Sequence, residues 1–360
     1  MRIVTPDGIV NGRLVTDGGL IAAVEEQGGS GGHWVVPGFV DIHNHGGGGH
    51  TFTTGEAAEA RLAAEFHLKH GATSIVASLV TSPPELMSAA TAAFRPLVGD
   101  GTLAGIHYEG PYLSEIRCGA QNPDYLRHPD LDELAALINL GGGAVRMVTI
   151  APELPGALAA TKMLADAGVA VAIGHTDATY EQTLAMITAG ASVGTHVFNG
   201  MRPPHHREPG PVFALLRAPA IVCEFVADGV HLHDGTLTFA AGVTGPERAA
   251  LITDAMAAAG MPDGSYELGG LSVDVAGGVA RLSHNGSIAG STLTMDAAFR
   301  RAVHAGLSII DVCQMAATTP ARAVGLHDRG SLTVGARADF LVLDDSLRIL
   351  EVHKAGVRVA

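Results

Sequence analysis

The chain contains little lysine: its 360 residues include only Lys69, Lys162 and Lys354. Lys+Arg total 22 and Asp+Glu total 36, so the formal net charge at pH 7 is −14. A protein that follows a nucleic-acid backbone needs clustered basic side chains to displace the counterions around the phosphates. The composition therefore predicts no nucleic-acid partner.

Long apolar runs are also absent, because none reaches the roughly 18 residues that a membrane-spanning helix needs. The first residues, Met1–Asp7, contain no apolar stretch of the kind that marks a secretory signal. We therefore expect a cytoplasmic protein without a membrane partner. Hydrophobic residues still make up 47% of the chain, which is ample for a folded core and excludes a disordered protein.

Cysteine is scarce, with only Cys118, Cys223 and Cys313. The three have no CxxC spacing, and an odd number argues against a disulfide framework. Cys223 and Cys313 lie in apolar segments and are expected in the core. Histidine, in contrast, occurs 18 times, which raises the expectation of a metal site without proving one.

Short apolar segments alternate with helical patterns along most of the chain. Eight such strands alternating with helices predict an α/β fold, a (β/α)8 TIM-like barrel, whose usual length is about 250 residues. A doubly wound open sheet is the competing architecture. The predicted strands are Phe39–His43, Ser74–Leu79, Leu103–His107, Arg146–Ile150, Ala170–Gly174, Ser192–His196, Ala220–Phe225 and Ala249–Thr253. The clearest predicted helices are Glu56–His70, Pro155–Ala167 and Thr179–Ala189.

The two ends of the chain have a different pattern, with short strands between glycine-rich turns. Neither end is long enough to bury a core alone. We expect residues 1–36 and 328–360 to form together a small β-sandwich domain, and residues 37–327 to form the barrel. A β-hairpin insertion is predicted near 265–290, with its turn at Gly277-Gly278, and two helices, Thr294–Ala305 and Ser308–Ala316, are predicted to follow it.

Potential metal ligands stand at the ends of the predicted barrel strands. The first strand ends in His43-Asn44-His45, and a period of two points both histidines to the same side. Barrel enzymes carry their chemistry at the C-terminal ends of the strands, and imidazole and carboxylate suit Zn²⁺ or a similar divalent ion. The sequence therefore predicts a metal site. Its candidate ligands are His43, His45, Glu109, His175 and His196, with Asp254 as a further carboxylate.

Several longer motifs carry a family resemblance. The segment Val36-Pro37-Gly38-Phe39-Val40-Asp41-Ile42-His43-Asn44-His45 resembles the first-strand signature of the amidohydrolase superfamily, and Gly335 to Leu343 resembles its C-terminal signature. A further set of motifs is similar to the N-acetylglucosamine-6-phosphate deacetylases, in that family's order along nearly the whole chain. The set comprises residues 107–112, 174–178, 195–201, 206–210, 227–231 and 253–255.

The resemblance implies roles for the candidate ligands. Glu109, His175 and His196 match the metal ligands that the family shares, whereas His43 and His45 match ligands found only in members that hold a second ion. The cofactor is then a divalent metal, Zn²⁺ or a similar ion, one or two per chain. Asp254 matches the catalytic aspartate, which would take a proton from the attacking water and pass it to the departing amine.

Substrate contacts are also implied by the resemblance. Arg207 matches the arginine that binds the phosphate, and in the family this arginine reaches the neighbouring site of a homodimer. Cys118 is either a contact of a mobile lid or a plain surface thiol. The segments matching those that hold a sugar phosphate contain Ala120, Gln121, Asn199, Gly200, Asp228, His231, Ile288, Ala289 and Gly290.

The expected reaction is hydrolysis of N-acetyl-D-glucosamine 6-phosphate to D-glucosamine 6-phosphate and acetate, in amino-sugar catabolism and cell-wall recycling. One alternative is a sister amidohydrolase acting on another acylated amine, such as N-acetylgalactosamine 6-phosphate or an N-acyl-amino acid, although Arg207 argues against the amino acid. A second is a non-catalytic metal-binding scaffold, which a missing ligand or a missing Asp254 would favour. A glycosidase would need two carboxylates flanking the bond, and the strand ends offer mostly histidine.

Overall fold

A computed structural model describes residues 1–28 and 31–360 of the chain. The strands are β1 Arg2–Thr5, β2 Gly8–Asp17, β3 Leu20–Glu26, β4 Trp34–Pro37, β5 Phe39–Asn44, β6 Gly46–Gly47, β7 His50–Thr51, β8 Ala72–Leu79, β9 Gly105–Glu109, β10 Val145–Ile150, β11 Ala170–Ile173, β12 Val193–Gly194, β13 Val222–Val226, β14 Ala249–Ile252, β15 Gly264–Leu268, β16 Leu271–Ala276, β17 Val279–Leu282, β18 Phe340–Leu343, β19 Ile349–Lys354 and β20 Val357–Arg358. The α-helices are α1 Ala57–Lys69, α2 Pro84–Gly99, α3 Leu131–Gly141, α4 Ala157–Asp166, α5 Tyr180–Thr188, α6 Gly210–Arg217, α7 Asp234–Thr244, α8 Met295–His304, α9 Ile309–Cys313 and α10 Thr319–Ala323.

The central sheet is a parallel barrel in which neighbours follow chain order: β5, β8, β9, β10, β11, β12, β13 and β14. The eight predicted strands are confirmed, each with boundaries within two residues of those expected. Their apolar runs are continuous because helices cover the outside while side chains fill the inside, so both faces are buried. A doubly wound sheet would reverse its order partway, and the observed order does not.

The barrel is nearly closed where the last strand, β14, returns to the first, β5. Main-chain hydrogen bonds cross this seam from Asp254 N–H to the His43 carbonyl at 2.9 Å and from His45 N–H to the Ala255 carbonyl at 2.8 Å. The seam therefore holds Asp254 beside the first-strand histidines. A site built from both ends of the barrel depends on this closure.

A buried carboxylate, Asp41, reinforces the seam. Its Oδ2 accepts from the Thr253 hydroxyl at 2.6 Å and from the Asn44 amide at 2.9 Å, while its Oδ1 accepts from Thr253 N–H at 3.2 Å. Burial raises the pKa of Asp41, and these hydrogen bonds act in the opposite direction. Asp41 thus ties together the residue before Asp254 and the residue between the two histidines.

Both ends of the chain meet, as expected, and form one mixed sheet of order β20-β19-β18-β4-β1-β2-β3. That this sheet forms a β-sandwich stays a prediction. Residues 8–11 of β2 pair with β1, and residues 12–17 pair with β3. A small separate core lies in this region. Strands β4 and β19 of this sheet were not predicted. The domain boundaries at 36/37 and 327/328 stay a prediction.

The insertion after the eighth barrel strand is a three-stranded antiparallel sheet, β15-β16-β17. The predicted hairpin is its β16–β17 half, turning at Gly277 and Gly278 with φ values of 59° and 74°, which favour glycine. The third strand, β15, was not predicted. Its Leu268 packs in one cluster with Val80 and Met256, next to strand ends β8 and β14, so the insertion borders the barrel mouth.

The helices predicted near α1, α4, α5 and α8 are confirmed. Thr179 and Gln182 form a reciprocal capping box at the start of α5, which explains why this boundary was readable. The helix predicted over Ser308–Ala316 is instead a short α9 that continues through a π-helix, Gln314–Thr318, into α10. In the part of the chain that the structure describes, no helix is both long enough and apolar enough to cross a membrane.

We predict that Asp41→Ala lowers the free energy of unfolding by about 3 kcal/mol, because it strands several buried hydrogen-bond donors at the seam. The measurement is urea unfolding followed by circular dichroism. Asp7→Ala, at an exposed turn carboxylate, is the control and should change stability by less than about 0.5 kcal/mol. Equal stability of the two variants would refute the seam's dependence on Asp41.

Candidate active site

Six side chains converge at the C-terminal mouth of the barrel. Their ligand atoms form two groups, each lying within 4.8 Å of one another. We call His43, His45 and Asp254 the first triad, and Glu109, His175 and His196 the second triad. All six residues are buried. The structure thus brings together every residue that the sequence predicted as a metal ligand or catalytic carboxylate.

Glu109 belongs to the second triad and also contacts the first. Its Oε1 is 2.9 Å from His175 Nε2 and 3.0 Å from His196 Nε2, within the second triad. Its Oε2 faces the first triad, 3.3 Å from His45 Nε2. This carboxylate can therefore serve both halves of the site.

Gln121 fixes the orientation of Glu109. Its Nε2 donates to Glu109 Oε2 at 2.6 Å, while its Oε1 accepts from Thr81 N–H at 2.7 Å. Because Thr81 N–H can only donate, the side-chain amide has one orientation consistent with both bonds. Gln121 lines the cavity as predicted, with both of its polar atoms engaged by the protein.

Three of the four triad histidines are anchored by backbone carbonyls at their outer nitrogens. The pairs are His45 Nδ1 with Ser78 O at 3.1 Å, His175 Nδ1 with Arg117 O at 2.9 Å, and His196 Nδ1 with Asn199 O at 3.2 Å. A carbonyl oxygen only accepts, so each Nδ1 must carry the proton. In the neutral rings, each Nε2 therefore points a lone pair into the site.

These inward lone pairs fit a cation. His175 Nε2 and His196 Nε2 are 3.1 Å apart, and His43 Nε2 and His45 Nε2 are 3.2 Å apart. Two facing lone pairs repel unless a proton or a metal ion lies between them. The donor set, imidazole nitrogen with carboxylate oxygen, is that of Zn²⁺ and similar divalent ions. The residues present therefore fit one ion at each triad.

The buried carboxylates and histidines of the site shift one another's pKa values. Burial alone would raise the pKa of Glu109, but His43 and His175 lower it well below its usual range. Burial would also raise the pKa of Asp254, yet a hydrogen bond from His45 and the charge of His43 lower it. Asp254 is therefore ionised at neutral pH. For His45, burial is outweighed by Asp254 and Glu109, which raise its pKa to about 9.

Three site residues adopt left-handed backbone conformations, with φ of 46° at His175, 26° at His196 and 49° at Asp254. Such a conformation costs a residue other than glycine about 1–3 kcal/mol and persists only where the surroundings enforce it. Each residue stands just after a barrel strand, where the chain turns. The strained turns aim these side chains into the mouth.

Two buried residues beneath the triads were not predicted. Glu224, in β13, accepts from His43 Nδ1–H at 3.1 Å. His107 packs its ring edge-on against that of His43, with centroids 4.6 Å apart, and burial lowers its pKa well below the usual value. The available signal for Glu224 was a single charge inside the apolar run Val222–Val226.

A cavity of about 280 Å³ opens above the triads. It is lined by five of the six triad residues, His43 being the exception. The predicted substrate contacts that line it are Ala120, Gln121, Asn199, Gly200, His231, Ile288 and Gly290. Lining residues that were not predicted are Val80, Gly119, Leu268 and Ser287, of which Leu268 and Ser287 come from the insertion.

Four predicted residues do not line this cavity. Asp228 lies behind His231, accepting from its Nδ1–H at 2.6 Å, and so orients a residue that does line it. Ala289 is wholly buried between two lining residues. Arg207 is exposed on its loop, and Cys118 is a half-buried free thiol. The direct substrate roles of these four residues stay predictions.

The family model described as "Amidohydrolase family" matches residues 34–359. A Lysinibacillus sphaericus protein named N-acetylglucosamine-6-phosphate deacetylase is 38% identical over 330 residues, 90% of this chain and 85% of its own. An Escherichia coli O157:H7 protein named N-acetylgalactosamine-6-phosphate deacetylase is 37% identical over 328 residues, which are 89% of this chain and 86% of that protein.

Among solved structures, the chain is similar to an N-acetyl-D-glucosamine-6-phosphate deacetylase from Mycobacterium smegmatis. The TM-score is 0.96 and the identity 44%, covering 99% of this chain and 97% of that one. The solved protein is an aspartate-to-alanine variant in complex with N-acetyl-D-glucosamine-6-phosphate. The likeness thus extends over the terminal sheet and the insertion as well as the barrel.

We predict that metal binding at pH 7 releases protons. With its pKa raised to about 9 in the metal-free protein, His45 is protonated below that pH, and an ion must displace this proton from Nε2. The apparent heat of Zn²⁺ binding, measured by calorimetry in buffers of different ionisation enthalpy, should report at least one proton released per chain. The His45 contribution should vanish as the pH rises above 9. A binding heat independent of the buffer at pH 7 would contradict the proposed charge state.

Proposed function

We propose that this chain, which belongs to the amidohydrolase family, hydrolyses N-acetyl-D-glucosamine 6-phosphate to D-glucosamine 6-phosphate and acetate. The observation that carries the proposal is the pair of metal-type triads, with the carboxylate of Asp254 in the first triad, at the base of one cavity. The relative solved with this sugar phosphate bound supports the substrate.

We propose Zn²⁺, one or two ions per chain, held by the second triad and, for a second ion, by His43 and His45. When bound, such an ion supplies Lewis acidity: it lowers the pKa of water and polarises the acetyl carbonyl. The chain's own contribution is orientation. The three carbonyl-anchored histidines present their Nε2 atoms in fixed directions, and Gln121 holds the carboxylate shared by both triads.

Asp254 is the general base in this proposal. An amide has a poor leaving group, so the attacking water must lose a proton and the departing sugar amine must gain one. Asp254 Oδ1 lies 3.3 Å from His45 Nε2, and its Oδ2 lies 3.9 Å from His231 Nε2. The carboxylate accepts the water's proton at one oxygen and then delivers it to the amine.

His231 lies beside the base, with its Nε2 3.9 Å from Asp254 Oδ2. Burial opposes its protonation, but Asp228 raises its pKa above the usual value. A protonated His231 at the cavity wall can donate a hydrogen bond to a sugar hydroxyl or to the phosphate. Asn199, Gly200 and the segment Ile288–Gly290 supply the neighbouring wall, and we assign these residues to the sugar phosphate.

We further propose a homodimer in which Arg207 binds the phosphate in the neighbouring site. An acidic chain repels a phosphate dianion, so the pocket needs local positive charge, and the arginine fork matches phosphate oxygens. Arg207 follows Pro203 and Pro204 on a stiff loop and is exposed in the single chain. An exposed arginine that does not line its own cavity is available to a partner's cavity.

We also propose a cytoplasmic location. A sugar phosphate carries charge that a lipid bilayer excludes, so the enzyme and its substrate must share a compartment. The role in amino-sugar catabolism and cell-wall recycling belongs to the same proposal.

A second candidate substrate is N-acetylgalactosamine 6-phosphate, which a relative of 37% identity is named for. The two sugars differ only in the configuration at C4. Both would undergo the same amide hydrolysis at the triads. Discrimination between them would come from the cavity wall, where the insertion contributes Leu268 and Ser287.

The proposal is tested by measuring acetate release from four sugars: the N-acetyl derivatives of glucosamine and galactosamine, each with and without the 6-phosphate. We expect N-acetylglucosamine 6-phosphate to have the highest kcat/KM and the sugars without phosphate to be far poorer. A preference for the galactosamine epimer would establish the second candidate. If metal-loaded protein releases no acetate from any of the four sugars, the result would favour the alternative of a non-catalytic metal-binding scaffold.

A mixed-dimer experiment tests the shared site. Asp254→Asn alone should lose roughly 10²–10⁴-fold in kcat, and Arg207→Ala should lose most of the preference for the phosphate. When the two variants are co-expressed, one pocket of each mixed dimer combines an intact Asp254 with an intact Arg207. With random assortment, activity should recover to about a quarter of wild type.

The same experiment separates the alternatives because each subunit carries only one defect. If Arg207 serves its own chain, every pocket in the mixed dimer lacks one of the two residues. Activity then stays at the average of the separate variants. That result would reject the crossing of Arg207 and leave the hydrolytic proposal standing.

A further inference from the structure

Glu224 is a wholly buried carboxylate that the proposed reaction does not use. It occupies the centre of β13, between the apolar side chains of Cys223 and Phe225, and its side chain has 0% exposure. Burying an ionised carboxylate is costly unless the charge is paired and hydrogen-bonded. The position of this charge therefore calls for an explanation in its contacts.

The Oε2 atom of Glu224 contacts both triads. It accepts from His43 Nδ1–H at 3.1 Å, and His43 belongs to the first triad. It also accepts from the backbone N–H of His196 at 3.2 Å, and His196 belongs to the second triad. A single oxygen atom thus fixes one residue of each half of the site relative to the other.

The contact gives His43 a property that the other triad histidines lack. The outer nitrogens of His45, His175 and His196 donate to neutral carbonyl oxygens, whereas that of His43 donates to a carboxylate. A carboxylate partner fixes the tautomer and makes the imidazole a stronger donor toward a metal ion. The negative charge of Glu224 is therefore directed at the first triad.

The second oxygen of Glu224, Oε1, is buried and has no hydrogen-bond partner among residues 1–28 and 31–360. Within the same ranges, the ion-pair partner of Glu224 is His43. Lysine and arginine do not compensate this charge in the described structure. A divalent ion bound at the first triad would compensate the charge of Glu224, because the ring of His43 would connect the two.

We propose that Glu224 is a positioning residue for the first triad, whose buried charge orients His43 and retains a second divalent ion there. This inference deepens the proposed function and rests on its metal-dependent part alone, not on the identity of the sugar. In this proposal, the number of bound ions, one or two, depends on Glu224, which contacts neither the ions nor the substrate.

The test is a Zn²⁺ titration of metal-free protein, with bound ions counted by elemental analysis. Glu224→Gln keeps the size and one acceptor but removes the charge. Wild type should bind two ions, and the variant should bind the second about 10–100-fold more weakly while keeping the first. Circular dichroism and the metal-free Tm check that the variant is folded. Glu224→Met is a second charge-free variant with the same expected result.

Asp339→Asn is the matched control, because Asp339 is also buried, at 1% exposure, and pairs with Arg337 beside the terminal sheet. It should retain both ions even if its Tm falls, which separates the loss of a specific charge from general destabilisation. Wild-type affinity for the second ion in a charge-free variant would overturn the inference, as would a wild type that binds only one ion. A wild type that binds no ion would overturn the metal-dependent function as well.

Discussion

Buried negative charge at the barrel mouth is the constraint on which the rest of the site depends. Glu109, Asp254 and Glu224 are buried carboxylates, and burying an ionised carboxylate is costly unless its charge is paired. In the described part of the chain, their ion-pair partners are histidines, with neither lysine nor arginine among them. The histidines in turn point Nε2 atoms at one another. A divalent ion bound among these residues would compensate the negative charge of the carboxylates. It would also accept the lone pairs of the facing Nε2 atoms.

The barrel supplies the geometry for this set. Parallel strands bring residues that are distant in sequence to one rim, and the seam between β14 and β5 places Asp254 next to His43 and His45. Left-handed turns at His175, His196 and Asp254 then aim side chains inward at a cost in backbone strain. The insertion contributes Leu268 and Ser287 to the cavity wall, so part of the wall comes from a segment outside the regular α/β repeat.

Much of this arrangement could be predicted from sequence because strong local patterns coincide with it. Parallel barrel strands are buried on both faces, so they read as continuous apolar runs, and ligands at their ends stand out as polar interruptions. Strand β15 was missed because the contacts of its Leu268 are with Val80 and Met256, which are distant from it along the chain. The π-helix Gln314–Thr318 was also missed. Glu224 was missed because its role depends on a hydrogen bond with His43, which lies 181 residues away along the chain. The sequence around Glu224 gives no sign of that partner.

The most direct test of the account restores metal to metal-free protein and follows acetate release from N-acetylglucosamine 6-phosphate as ions are added. Metal-free protein should be inactive, and activity should rise with the number of ions bound and level off when the site is full. Readdition restores the missing charge to the triads, so the recovery should be complete. Full activity in protein shown by elemental analysis to be free of metal would contradict the central claim.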